Sequence, residues 1–117
     1  MKAAHILLVD DDDDLRPEVM RMLTRLGHRV TAAASGEEGL SLLEGSADVD
    51  LLFVDVTMPG IGGVEMAERA VQSHPGLKVL FSSGDFLPPE APSDAQFIIK
   101  PYSRKTLAEK VEAMLGD

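Results

Sequence analysis

The sequence has no cysteine. The chain therefore cannot form a disulfide, a thiolate zinc site or an iron–sulfur cluster. It also lacks any apolar stretch near the roughly 20 residues that span a bilayer, so no membrane association is expected. Residues 1–5 lead directly into four apolar residues and then an acidic run, which is unlike a signal peptide. These absences predict a cytoplasmic location.

Positive charge is scarce, because 11 Lys and Arg residues stand against 20 Asp and Glu residues, for a net charge of −9. A nucleic-acid-binding surface needs clustered Lys and Arg to replace the counterions of the phosphates. No such cluster occurs, so a nucleic-acid partner is not expected. The acidic residues are instead concentrated in an unbroken run of five aspartates at residues 10–14.

Five short apolar segments alternate with segments of helical periodicity. The apolar segments are residues 6–9, 30–34, 51–54, 79–81 and 97–99. None shows the polar–apolar alternation of a half-solvated strand, which is typical of a parallel sheet covered on both faces. Strands that alternate with helices indicate a parallel sheet between two helical layers. No repeat or linker interrupts the pattern, so we expect one α/β domain over residues 1–117.

Proline restricts where two of the helices can form. Pro17 is tolerated only in the first turn of a helix, so the first helix is predicted to begin near Asp13 or Asp14. The segment before the last strand, residues 86–95, contains three prolines. Each proline removes a backbone donor and disfavours helix in the residue before it. The fourth helix is therefore predicted to be short or irregular.

Polar side chains stand where the predicted strands end. Asp10 and Asp11 follow the first strand, Asp55 ends the third, Ser83 ends the fourth and Lys100 follows the fifth. Ligands of such sheets bind at the carboxyl ends of the strands. Converging carboxylates repel each other unless a cation lies between them, and hard oxygen ligands suit Mg²⁺. A metal, an ammonium and a hydroxyl around one carboxylate are the parts needed to receive a phosphoryl group.

Four motifs carry a resemblance to a known family. They are Leu-Val-Asp-Asp at residues 8–11, Leu-Phe-Val-Asp-Val-Thr-Met-Pro-Gly at 52–60, Ser-Gly at 83–84 and Lys-Pro-Tyr at 100–102. In this order and spacing they resemble the receiver domain of two-component response regulators, the CheY-like superfamily. The resemblance covers essentially the whole chain. It implies a flavodoxin-like fold, with a five-stranded parallel sheet of order 2-1-3-4-5 and helices on both faces.

The resemblance also implies the chemistry of the strand ends. Asp55 would accept a phosphoryl group from a histidine kinase or a phosphotransfer protein. Asp10, Asp11 and Asp55 would bind Mg²⁺, together with the main-chain carbonyl of Thr57. The domain would catalyse only its own phosphorylation and dephosphorylation, so it is expected to be a switch and not an enzyme. It would control a downstream protein partner.

Further residues receive roles from the same resemblance. Ser83 and Lys100 would hold the phosphoryl oxygens, and the Lys100–Pro101 peptide bond would be cis. Phe97 would turn inward when the Ser83 hydroxyl moves. Members of this family commonly dimerise through a regular fourth helix. This chain is not expected to form a regular helix there. A monomer is therefore predicted.

Two positions are implied to control how water reaches the phosphorylated aspartate, namely Thr57 and Asp85. Three features depart from the usual pattern of the family. Gly62 stands where an aspartate is common, and Phe97 stands where a tyrosine is more usual. The stretch between Ser83 and Lys100 is several residues shorter than in many members.

Three other functions could explain the acidic run. A calcium-binding loop that starts at Asp10 is excluded, because Leu15 and Arg21 occupy the positions that require glycine and glutamate. A P-loop ATPase is excluded by the missing Gly-x-x-x-x-Gly-Lys motif. The remaining alternative is a small Mg²⁺-dependent phosphatase of the haloacid dehalogenase type. That family has threonine or valine where Asp14 stands, and its members are longer.

Overall fold

The computed structural model describes residues 3–46, 48–85 and 87–116. Five strands and four helices alternate along most of the chain. In chain order they are β1 (His5–Val9), α1 (Leu15–Arg25), β2 (Arg29–Ala33), α2 (Gly36–Glu44), β3 (Leu51–Asp55), α3 (Gly63–Ser73), β4 (Lys78–Ser83), β5 (Gln96–Ile99) and α4 (Arg104–Leu115). The strands form one parallel sheet in the order β2-β1-β3-β4-β5, which confirms the predicted flavodoxin-like topology.

Two apolar layers cover the two faces of the sheet. Leu7 and Val9 of β1 point into the layer that contains α2 and α3 residues. Ile6 and Leu8 point into the opposite layer, with residues of α1 and α4. All four side chains are at most 2% exposed. Because both faces are covered, the central strands need apolar side chains at every position, which explains their continuous apolar sequence.

The strand register places the carboxyl ends of the strands at one edge of the sheet. Val9 of β1 is aligned with Val54 of β3, so the residues that follow them lie side by side. Asp55 is in turn aligned with Ser82 of β4. The segments after β1, β3, β4 and β5 therefore meet at this edge, where the sequence predicted the chemistry.

Helix α1 begins at Leu15, with Asp14 at the N-cap position and Pro17 in the first turn, as predicted. The side chain that caps the helix is that of Asp12. The Asp12 carboxylate accepts hydrogen bonds from the Asp14 and Leu15 amides at 2.9 and 3.0 Å, whereas the Asp14 side chain makes no capping bond. These bonds lower the pKa of Asp12, because they stabilise the charged form. The bond from the Leu15 amide contributes most.

The segment between β4 and β5 forms turns and no helix in its described residues, 84–85 and 87–95. Two turns are closed by hydrogen bonds from Ala91 to the Pro88 carbonyl and from Ala95 to the Pro92 carbonyl. This confirms the predicted irregular fourth helix and its physical cause, the three prolines. An open groove of about 830 Å³ lies beside the segment, between α3 and α4.

Among the described residues, no helix combines the length and apolar character needed to cross a membrane.

Candidate functional site

Three carboxylates meet at the carboxyl edge of the sheet. One oxygen each from Asp10, Asp11 and Asp55 lies within 4.8 Å of the others. Asp10 and Asp55 are buried, because they adjoin the covered strands β1 and β3, whereas Asp11 is exposed. The structure thus brings together the three carboxylates that the sequence singled out, and the cluster is open to solvent on the Asp11 side.

Lys100 reaches this cluster from the end of β5. Its Nζ donates to Asp55 Oδ2 at 2.9 Å and to Asp10 Oδ2 at 3.4 Å. The lysine is fixed by its backbone, since its amide donates to the Ser83 carbonyl at 2.7 Å. The following peptide bond to Pro101 is cis, as predicted. The sheet order places β5 two strands away from β3, so the long lysine side chain spans β4.

Burial and charge act against each other in the cluster. Burial raises the pKa of Asp10, and the nearby charge of Asp55 adds to the increase, although the Asp12 amide and Lys100 oppose it. Burial by itself would lower the pKa of Lys100. The hydrogen bond to Asp55 and the charges of both carboxylates outweigh that effect, so the pKa of Lys100 is raised and the ammonium stays protonated.

The donor set fits Mg²⁺. All three candidate ligands offer carboxylate oxygens, which are the hard donors that this ion prefers. The raised pKa of Asp10 shows that one ammonium does not fully offset the burial of this carboxylate. Asp55 Oδ1 also accepts a hydrogen bond from the Thr57 amide at 3.2 Å, which places the Thr57 backbone beside the cluster. The contribution of the Thr57 carbonyl stays a prediction.

The remaining predicted residues lie around the cluster. Ser83, at the end of β4, is buried, and its Oγ accepts a hydrogen bond from the Asp85 amide at 3.4 Å. Thr57, Ser83 and Asp85 line one open cleft of about 690 Å³. Phe97 is aligned with Phe81 of β4, and its side chain is 41% exposed. The roles of these side chains in phosphoryl contact, switching and dephosphorylation stay predictions.

Sequence reasoning misses a contact of Arg16. Its guanidinium donates to the Asp10 carbonyl and to Asp13 Oδ1, both at 2.8 Å. The sequence pattern presents Asp13 only as a carboxylate at the start of a helix. The three-residue spacing between Asp13 and Arg16 is typical of a helical ion pair and is a signal from which their contact can be inferred. Nothing in the sequence pattern points to the contact with the Asp10 carbonyl.

Tyr102 is a second residue whose surroundings only the structure shows. Its ring packs on Phe53 with the centroids 6.1 Å apart. Burial raises the pKa of its hydroxyl, and the charges of Asp10 and Asp55 add to the increase. The sequence marks Tyr102 only as the end of the Lys-Pro-Tyr motif.

Comparisons with known proteins agree with this geometry. The profile of the response regulator receiver domain matches residues 6–112. The response regulator receiver protein CpdR of Brucella abortus is 35% identical, and the alignment covers 94% of this chain and 95% of CpdR. The sensor kinase CckA of the same organism is 38% identical over 97% of this chain, which spans 13% of the kinase.

Solved structures of receiver domains are similar to the structure of this chain. The receiver domain protein of Methanospirillum hungatei, described as CheY-like, superimposes with a TM-score of 0.87. The two sequences are 30% identical, and the match covers 97% of this chain and 94% of that one. These relatives belong to two-component systems, so the alternative of a haloacid-dehalogenase-type phosphatase finds no support among them.

Proposed function

The chain belongs to the response regulator receiver domain family, and we propose that Asp55 accepts a phosphoryl group from a histidine kinase or a phosphotransfer protein. One observation supports this proposal above all. The Asp55 carboxylate lies 2.9 Å from the Lys100 ammonium, within a cluster that also contains Asp10 and Asp11. An aspartate oxygen in such surroundings is a nucleophile next to fixed positive charge, which is the arrangement that phosphoryl transfer needs.

In the proposed step, an Asp55 oxygen forms a bond to phosphorus while the bond between phosphorus and the donor's histidine nitrogen breaks. The released imidazole takes a proton from solvent. The Lys100 ammonium lies beside the acceptor carboxylate and neutralises charge on the phosphoryl oxygens. The Ser83 hydroxyl, at the end of β4, is proposed to contact the same oxygens.

Asp10, Asp11 and Asp55, with the Thr57 carbonyl, would hold Mg²⁺. When bound, the ion supplies positive charge that offsets the carboxylates and the phosphoryl oxygens. Asp10 and Asp11 would contribute to Mg²⁺ binding in different ways. Asp10 is buried and follows β1 directly, whereas Asp11 is exposed to the solvent from which the metal arrives.

The proposed output is a switch and not the turnover of an independent substrate. Phosphorylation would draw Ser83 toward the phosphoryl group, and Phe97 would turn inward from its exposed position on β5. The change would then reach the helix-free segment between β4 and β5, and a downstream protein would respond to it. The kinase and regulator relatives support partners from two-component systems. A cytoplasmic location and a monomeric state are the predictions made from the sequence.

Intact mass measurement tests the proposal directly. Wild-type protein incubated with Mg²⁺ and acetyl phosphate should gain the mass of one phosphoryl group, and Asp55→Asn should gain none. Asp94→Asn removes an exposed carboxylate of the segment between β4 and β5 and serves as the matched control, which should be phosphorylated like the wild type. An adduct that persists in Asp55→Asn and maps to another residue would contradict the proposal.

A steady-state assay with a small phosphomonoester separates the proposed switch from the phosphatase alternative. A receiver domain should show no steady-state release of phosphate from the phosphomonoester, because it hydrolyses only its own aspartyl phosphate. Continued turnover that Asp55→Asn leaves intact would place the chemistry at another residue and contradict the proposed role of Asp55.

A further inference from the structure

We propose that Arg16 is a positioning residue, which holds the backbone of the acidic loop (residues 10–14) in the shape that binds Mg²⁺. The inference rests on the proposed function, because it concerns the same metal site. Arg16 lies in the first turn of α1, directly after the loop. It would not touch the metal or the phosphoryl group itself.

The guanidinium of Arg16 joins the two ends of the loop. Nη1 donates to the Asp10 carbonyl and Nη2 donates to Asp13 Oδ1, both at 2.8 Å. The two acceptors lie on either side of Asp11 and Asp12 in the chain, so one planar group bridges the turn that carries them. The Arg16 side chain is 20% exposed and its bond to the Asp10 carbonyl is partly buried, whereas Asp13 is 84% exposed, so the bond to Asp10 is the better shielded of the two.

Asp11 depends on this bridge more than the other two carboxylates do. The Asp10 carboxylate accepts from the Asp12 amide and from Lys100, and the Asp55 carboxylate accepts from the Thr57 amide and from Lys100. Within the described part of the chain, no hydrogen bond or ion pair holds the Asp11 carboxylate. Its position is therefore set by the loop backbone. The Asp10 and Asp12 carboxylates bind amides within and directly after this loop, and Arg16 adds the bridge that joins its two ends.

Charge and positioning predict opposite results when Arg16 is changed. A positive charge near a cation site repels the cation, so removing it should strengthen Mg²⁺ binding if only Coulomb forces matter. If Arg16 instead positions Asp11, its removal should weaken binding, because the exposed carboxylate then samples other positions. The direction of the change in affinity therefore separates the two explanations.

The test is calorimetric titration with Mg²⁺ of the full chain and of three variants. Arg16→Gln removes the charge and the planar fork, and Arg16→Lys keeps the charge but cannot bridge two acceptors in this way. We expect both to bind Mg²⁺ on the order of tenfold more weakly, as is typical when a residue that orients a ligand is lost. Arg21→Gln makes the same charge change at an exposed position of α1 and should leave the affinity near that of the wild type.

Two further measurements distinguish positioning from a general effect on folding. Amide hydrogen exchange at residues 11–13 should be faster in Arg16→Gln without metal, while exchange in the central strands stays unchanged. Phosphorylation by acetyl phosphate should need more Mg²⁺ in both Arg16 variants but reach nearly the wild-type rate at saturation. A role in folding alone would lower the melting temperature without moving the Mg²⁺ dependence of the folded protein.

The outcomes separate failure of this inference from failure of the proposed function. Suppose that the wild type binds Mg²⁺ and Asp11→Ala weakens binding, but both Arg16 variants bind as well as the wild type or more tightly. The positioning role of Arg16 is then overturned, and the proposed function stands. If the wild type binds no Mg²⁺, the inference about Arg16 is overturned together with the proposed metal site, and the intact-mass comparison with Asp55→Asn decides the role of Asp55. If Arg16→Gln does not fold, Arg16→Lys decides the question, because it preserves the charge beside the acidic loop.

Discussion

Replacing Lys100 with methionine should destabilise the metal-free protein, because two buried carboxylates would lose their shared cation. Methionine keeps an unbranched side chain of similar reach and removes the charge together with the ammonium donors that bind Asp55 and Asp10. The Asp10 and Asp55 side chains are 4% and 10% exposed, so water can replace little of the lost interaction. Lys100 is therefore the residue at which a single substitution tests the electrostatic account of the site most directly.

The expected loss of unfolding free energy follows from the burial of Asp10, Asp55 and Lys100. Breaking a fully buried ion pair by removing one partner costs about 3–5 kcal/mol. The Lys100 side chain is 22% exposed, and the cluster is open beside Asp11, so solvent screens part of this cost. We expect the free energy of unfolding to fall by about 2–3 kcal/mol near neutral pH. For a domain of this length, that loss corresponds to a drop in melting temperature on the order of 10 °C.

The loss should depend on pH in a defined direction. Burial already raises the pKa of Asp10, and this pKa should rise further when the Lys100 charge is removed. A carboxyl group whose pKa is higher in the folded state than in the unfolded state destabilises the fold as the pH rises through that interval. The difference between Lys100→Met and wild type should therefore be largest near pH 7 and smaller near pH 4.5.

Urea unfolding followed by far-ultraviolet circular dichroism measures these differences, first with a chelator and then with Mg²⁺. Because the metal supplies the missing charge, Mg²⁺ should stabilise Lys100→Met more than it stabilises the wild type. Lys105→Met removes an exposed lysine of α4 and controls for the change in net charge. A loss below about 0.5 kcal/mol, the range of ordinary surface substitutions, or one of equal size at both pH values, would refute the reasoning.

Four other results are expected. Asp10→Asn should stabilise the metal-free protein near neutral pH, with a gain in unfolding free energy that shrinks toward pH 4, because it removes a carboxylate whose pKa burial raises. Gly63→Ala should cost about 3 kcal/mol in urea unfolding, since its Cβ would lie 2.1 Å from the Asp55 carbonyl oxygen, whereas the nearest atom to a Cβ at Gly62 is 3.6 Å away. Asp85→Ala should lengthen the lifetime of the phosphorylated protein, followed by intact mass, because its carboxylate can hydrogen-bond an attacking water; an unchanged or shorter lifetime would contradict this. Light scattering should show a monomer with and without beryllofluoride, and a clean shift to a dimer would show that the segment between β4 and β5 does not prevent dimerisation.

Much of the fold follows from local patterns. A strand covered on both faces must be apolar throughout, so the composition of residues 51–54 is enough to indicate a central strand. The prolines between β4 and β5 act on their own backbone and on the residue before them, so the loss of the fourth helix is equally visible in the sequence. Parallel strands then bring their carboxyl ends to one edge, which is why the sequence groups Asp10, Asp55 and Lys100 at one site.

The contacts inside that edge depend on how the elements pack. The sequence separates Asp10 and Asp11 from the rest of the run and its spacing is compatible with an Asp13–Arg16 pair, but only the path of the loop makes Asp12 the capping residue. The same packing turns the Arg16 guanidinium back onto the Asp10 carbonyl.

The sequence by itself therefore determined the parallel sheet, the missing helix and which polar residues stand at the strand ends, because periodicity and proline geometry act over a few neighbouring residues. The tertiary structure decided which carboxylates are buried, which cation each one contacts and how far apart they lie. Those properties arise from the strand register and from the path of the loop between β1 and α1. Burial raises the pKa of Asp10, and the adjacent carboxylates outweigh burial and raise the pKa of Lys100, so the chemistry of the cluster is a property of the packed fold.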